Sequence, residues 1–287
     1  MDEQRPVAND DLDLSRRRFA ALSVAAGVMG PTAAAAAQTA EAVETDVSVK
    51  TADGSTDAAL FHPAGQGPWP GVILFTSAMG LRPVFRDMGR RLAAEGYTVL
   101  IPNPFYRSRK APVFGAFDFG NPADMAKLAE VQKPLTPDAV GRDEAAWVAY
   151  LDGHPAVSKT VKMGLVGYCM GGPRVMQTAA LAPDRIGAFC AFHGGAGILT
   201  DMPDSPHLLA PRIKAKSYFG IAANDAMRQP EQKDRLLAAF AAAGNPTRAE
   251  IYPANHGWCV HEGPVYDAVQ AERAWNEMLN LFKTTLV

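Results

Sequence analysis

Apolar positions along the chain follow two rhythms that alternate from about residue 45 to the end. Runs that are apolar at nearly every position read as strands covered on both faces: GVILFT (71–76), TVLIPNP (98–104), KMGLVGY (162–168), IGAFCAF (186–192), AKSYFGI (215–221) and TRAEIYP (247–253). Between them lie longer segments with apolar residues three and four apart, which predict helices over 83–97, 136–155, the VMQTAALAP stretch, 231–244 and from Val265 to about Phe282. Two earlier strands, DVSVKT and AALFH, are joined by Ala52-Asp53-Gly54 and predict an antiparallel edge.

Buried strands alternating with amphipathic helices predict an α/β protein: a mostly parallel, doubly wound sheet of about seven or eight strands flanked by helices. The pattern supports one domain over 45–287. The Pro- and Gly-rich residues from about Phe105 to Thr136 carry few strand or helix cues, and read equally as a lid or as a long connection.

Composition narrows the function classes. The formal net charge is −2 and no Lys/Arg block follows the first twenty residues, so nothing marks a nucleic-acid partner and a small molecule is expected. Three cysteines, Cys169, Cys190 and Cys259, are too few for a disulfide framework. The first 37 residues read apart from the rest: Ser15-Arg16-Arg17-Arg18-Phe19, then AALSVAAGVMG, then an alanine-rich stretch. That order matches an export signal, and its apolar part is too short to span a bilayer, so no permanent membrane span is expected. The paired arginines resemble a twin-arginine signal, which implies a twin-arginine translocase as partner and a periplasmic or secreted bacterial protein. Ala35 and Ala37 place cleavage after Ala37, leaving 38–44 as a short linker; an uncleaved basic tail is the alternative.

The chemistry centres on Gly167-Tyr168-Cys169-Met170-Gly171-Gly172, between a strand and a helix. Ligands of doubly wound sheets bind at the carboxyl ends of the strands, where this turn lies. A nucleophile elbow needs glycines on either side of the nucleophile, and Gly167 and Gly171 flank Cys169 in that pattern. The helix that follows favours a thiolate at its N-terminus, and the Met170 amide would face a developing oxyanion. An acid and a base then follow in the expected order: Asp225 after the strand ending at Ile221, and His256 after the strand ending at Pro253. His256 would take and return the thiol proton while Asp225 orients its ring.

These residues resemble the dienelactone hydrolase family of α/β-hydrolases, through GYCMGG, AANDA around Asp225, NHGW around His256, and FHGGAGILTDMPDSPH. The resemblance implies the α/β-hydrolase fold, a Cys-Asp-His triad, and hydrolysis of a carboxylic ester or lactone through a thioester, with neither metal nor organic cofactor. It also implies Ala78 as a second oxyanion amide beside Met170. Ser77 stands where well-known members carry a glutamate near the resting thiol, so a larger thiolate fraction is expected here. No arginine follows His256 within Gly257-Trp258-Cys259-Val260-His261, which favours a neutral ester or lactone over an acidic one. Thioesterase or peptidase activity on the same triad, or a catalytically idle ligand-binding relative, are the alternatives.

Further residues lie near the expected edge. Ser77, Met79, Tyr106, Arg107, His193 and Trp258 are candidate pocket residues, although a solvated loop position is the default reading for Tyr106, Arg107 and the neighbouring Arg82. His193, before a glycine pair, reads first as a hydrogen-bonded structural histidine and only second as a pocket residue. Cys190 reads as core and Cys259 as a packed thiol. A metal site on Cys169, His256, Cys259 and His261 is disfavoured, because its spacing matches no common zinc pattern.

Overall fold

The computed structural model describes residues 41–287, so the leader and its cleavage point lie outside the described residues. The edge hairpin is longer than the sequence suggests: β1 (Ala42–Thr51) begins inside the stretch read as linker and pairs antiparallel with β2 (Gly54–Pro63) along its full length. The buried runs form β3 (Gly71–Phe75), β4 (Thr98–Pro102), β5 (Met163–Tyr168), β6 (Ile186–Phe192), β7 (Lys216–Ala222) and β8 (Arg248–Tyr252). The eight strands are ordered β1-β2-β4-β3-β5-β6-β7-β8, parallel from β4 onward.

Helices cover both faces, which is why the central strands are apolar at successive positions. Helices α1 (Pro83–Ala94) and α7 (Ala268–Thr285) pack Phe85, Leu92, Trp275 and Phe282 on one face. Helices α3 (Pro137–Gly153), α4 (Gly171–Leu181) and α6 (Gln232–Ala242) pack Trp147, Met176 and Phe240 on the other. Their starts are written in the sequence: Thr136 caps α3 by accepting the Ala139 N–H, with Pro137 at the first position, and Asp267 caps α7 through the Gln270 N–H. No helix among the described residues is long and apolar enough to cross a membrane.

Two short elements depart from the sequence reading. The 105–136 insert contains a helix, α2 (Pro122–Gln132), opened by Asn121 as cap and Pro122 behind it. It buries only Leu128 and Val131, too narrow a stripe to show as periodicity. The six-residue α5 (Ala223–Arg228) stands where a loop was expected after β7. The insert builds a small core of Phe105, Val113, Leu128 and Val131, against which Ala78 and Met170 pack.

Candidate active site

The turn after β5 is sharp because three glycines let backbone pass backbone. A Cβ on Gly167 would sit 2.1 Å from the Gly171 carbonyl oxygen, and one on Gly171 would sit 2.5 Å from that of Phe75. Gly172 lies against Gly194, where a Cβ would come within 2.7 Å of its Cα. Cys169 itself has φ 54°, the left-handed region that non-glycine residues rarely enter. Its N–H donates to the Phe192 carbonyl at 3.0 Å, and α4 begins two residues later.

Two neighbouring strands deliver the partners. Asp225 lies in the first turn of α5, directly after β7, and is almost fully buried. His256 follows β8, and its backbone N–H donates to Asn224 Oδ1 at 2.8 Å. The His256 Nδ1–H donates to Asp225 Oδ2 at 2.7 Å, which leaves Nε2 facing Cys169 Sγ across 3.1 Å. Cys169, Asp225 and His256 thus form one line. Asn224 is a contributor that the sequence reading passed over; its adjacency to Asp225 was the available signal.

The electrostatics favour a charged pair. Burial pushes the Cys169 thiol up, but the hydrogen bond and charge of His256 and the amides of Ala78 and Met170 outweigh it and hold the thiol below its ordinary value. Burial opposes the imidazolium of His256, yet the bonds to Asp225 and Cys169 push it up to about 10. The backbone amides of Ala78 and Met170, on two different turns, both favour the thiolate form of Cys169.

The pocket candidates separate. Ser77 is buried and accepts a hydrogen bond from Arg82 Nη1 at 3.1 Å; the Arg82 Nε–H donates to Glu262 Oε2 at 2.7 Å, so Arg82 is no freely solvated loop residue. Met79 is half-buried on the same turn. Tyr106 and Arg107 serve elsewhere. The Tyr106 hydroxyl and the Arg107 guanidinium both donate to the buried carboxylate of Asp143, and Arg107 also pairs with Asp53, tying the β1–β2 turn to α3. A buried carboxylate requires such partners, and the sequence does not show that Asp143 is buried. Trp258 is fully buried and stacks on Tyr252, with ring centroids 4.8 Å apart, so it supports the floor rather than lining an opening.

His193 departs from the structural reading. It is fully buried with φ 40°, its ring centroid is 5.0 Å from that of His256, and neither ring nitrogen has a hydrogen-bond partner. Burial, with the charge of His256 adding to it, pushes its pKa well below the usual value. Cys190 and Cys259 are buried thiols, as expected. Cys259 and His261 do not join Cys169 and His256 in a ligand cluster; among the described residues, His193 does.

Beside the elbow, a narrow cleft runs between the ends of β3 and β4, one face of α3 and the first turn of α4. It is lined by Phe75, Leu135, Val140, Trp147, Met170 and Arg174, among others. The walls are mostly apolar, and Arg174 Nη1 donates to Gln177 on its own helix.

Sheet order, the strained turn at the end of β5, and an acid and a histidine brought in after β7 and β8 define an α/β-hydrolase. The sequence model of the dienelactone hydrolase family matches residues 56–286, and the chain belongs to that family. It is a hydrolase enzyme. A Methylorubrum extorquens protein named as a candidate carboxymethylenebutenolidase is 28% identical over 288 residues, covering 94% of this chain and 93% of that one. A Rhodococcus opacus carboxymethylenebutenolidase is 27% identical over 182 residues, covering 63% and 66%. Among solved structures, a candidate dienelactone hydrolase from Klebsiella pneumoniae superposes with a TM-score of 0.72 at 22% identity, covering 84% of this chain and 98% of that one.

Proposed function

We propose that the protein hydrolyses a carboxylic ester or lactone with Cys169 as nucleophile, His256 as general base and acid, and Asp225 as the group that orients His256. The observation that carries this reading is the unbroken line from Asp225 Oδ2 to His256 Nδ1 at 2.7 Å and from His256 Nε2 to Cys169 Sγ at 3.1 Å. The thiolate attacks the carbonyl carbon, and the carbonyl oxygen becomes an oxyanion that the N–H groups of Ala78 and Met170 receive. Collapse breaks the ester C–O bond, and the leaving alkoxide takes the proton from His256. A water molecule, losing a proton to His256, then attacks the thioester. The acid leaves and the Cys169 thiol is restored.

The relatives named as carboxymethylenebutenolidases support a lactone among the substrates. A panel of short neutral esters, half-esters of dicarboxylic acids and lactones, run against wild type and Cys169→Ala, tests the reading. Wild-type turnover with a mass-detected acyl adduct on Cys169 is expected; hydrolysis that persists in Cys169→Ala overturns it.

The leader carries a separate part of the proposal: residues 1–37 direct export through a twin-arginine translocase. Protein recovered from the cell envelope should start near residue 38. An intact Met1 end on that material refutes export with cleavage.

A further inference from the structure

We infer that Cys169, His193 and His256 together form a binding site for a soft divalent cation, of which Zn²⁺ is the type, and that the bound ion holds the enzyme idle. One ligand atom from each residue lies within 4.8 Å of the others. Sγ and His256 Nε2 are 3.1 Å apart and the His193 nitrogen lies no more than 4.8 Å from either. Tetrahedral zinc, with bonds of roughly 2.3 Å to sulfur and 2.0–2.1 Å to nitrogen, spaces such atoms about 3.3–3.6 Å apart, so Cys169 and His256 need shift only a few tenths of an ångström, the His193 ring swings in by up to about 1.5 Å, and water supplies the fourth position.

His193 is the distinguishing member. It is 0% exposed and both ring nitrogens lack a partner, although a buried polar group ordinarily finds one. Its backbone is fixed: the residue stands in the left-handed region at the end of β6, and its N–H donates to the Gly220 carbonyl at 2.8 Å. Full burial keeps the ring neutral, the form that offers a lone pair to a metal. His256 meets the same requirement, because Asp225 holds the proton on Nδ1 and leaves Nε2 to coordinate; a carboxylate behind a histidine ligand is the usual support of a zinc site.

The stoichiometry balances without a redox step. Cys169 and His256 share one proton; coordination by the thiolate and by neutral Nε2 releases that proton to solvent. Zinc's two positive charges then face the Cys169 thiolate and the Asp225 carboxylate, with two neutral imidazoles. Occupancy removes both the nucleophile and its base, and a chelator returns them. The inhibition rests on the catalytic reading above, whereas the binding does not.

The test uses the full-length protein freed of metal with a chelator. Co²⁺ titration should show one equivalent with tetrahedral visible bands and a thiolate-to-cobalt charge-transfer band, and Zn²⁺ should protect Cys169 from iodoacetamide. Chelator competition should show zinc affinity roughly 100-fold weaker in His193→Phe and His193→Gln, since loss of even a supporting residue behind a ligand costs 10–100-fold. Two replacements of different polarity guard against misfolding, and protection of the wild-type thiol needs no variant. Zinc that fails to protect Cys169, a cobalt spectrum without the sulfur band, or unchanged affinity in a folded His193 variant would each overturn the site. Tight zinc binding with undiminished ester hydrolysis would leave the site standing and remove Cys169 from the catalytic role.

Discussion

Replacing Asp225 by asparagine deletes one negative charge while keeping the shape of the side chain. The carboxylate oxygen is 2.7 Å from His256 Nδ1. With about 4 Å between centres of charge and an effective dielectric of about 20, the attraction is roughly 4 kcal/mol. The His256 side chain is 31% exposed, so solvent reduces this to about 2 kcal/mol, or roughly 1.5 pKa units. In the wild type, burial opposes the imidazolium, but Asp225 and Cys169 push His256 up to about 10. The thiolate–imidazolium pair exists above the pKa of Cys169 and below that of His256, and its two limits belong to the pair as a whole. Loss of Asp225 lowers the upper limit; the weaker imidazolium then lets the Cys169 thiol rise, which raises the lower one. Iodoacetamide alkylation from pH 5 to 10 reads the lower limit, and the descending limb of kcat/KM reads the upper. Asp225→Asn should slow alkylation at pH 7 about tenfold and narrow the activity bell from both sides. Hydrolysis should fall further than alkylation, because asparagine also permits the wrong imidazole tautomer. Superimposable profiles for the two proteins would refute the coupling.

Three further outcomes are expected. Ser77→Glu should change alkylation of Cys169 little by itself, because Arg82 Nη1, 3.1 Å from Ser77 Oγ, would neutralise the new carboxylate; adding Arg82→Met should slow alkylation at pH 7 several-fold, and equal rates in single and double variants would refute this. Gly167→Ala should lower stability by about 3 kcal/mol or more and abolish hydrolysis, since its Cβ meets the Gly171 carbonyl rather than a yielding side chain; a native-like Tm with full activity would refute the close-approach argument. Burial pushes the carboxyl of Glu144 up to about 8 from 4.5. The folded state therefore binds its proton more tightly than the unfolded chain, and the wild type loses stability as pH rises from 4.5 to 8. Denaturant titrations of Glu144→Gln should show a flatter profile, with an advantage over wild type that grows to roughly a few kcal/mol by pH 8 and vanishes near pH 4.5; parallel profiles would refute it.

The parts legible from the sequence were those in which chemistry leaves a local trace. Unbroken apolar runs mark strands buried on two faces because no position can tolerate water, and β3 to β7 were recovered from them, whereas the edge strand β8 leaves Arg248, Glu250 and Ile251 at least partly exposed. Gly167 and Gly171 mark the turn because only glycine lets those backbones meet, so Cys169 could be singled out from its neighbours alone. The order Cys169, Asp225, His256 could be read because each residue follows a recognisable strand. Short elements were missed: α2 buries only two side chains, and α5 is too short to show a period.

What the sequence by itself determined is therefore the layered fold, the elbow and the cast of chemical groups. Tertiary structure alone decided their pairing, since a side chain's role depends on what stands opposite it across the sheet edge. Tyr106 and Arg107 turn to the buried Asp143, which must be neutralised, while Arg82, expected in solvent, reaches Ser77. His193 is brought to the ring of His256 by the juxtaposition of the β6 and β8 ends, with its nitrogens unpartnered. Burial and distance are properties of the folded chain, and they separate a histidine that packs from one that can bind a metal.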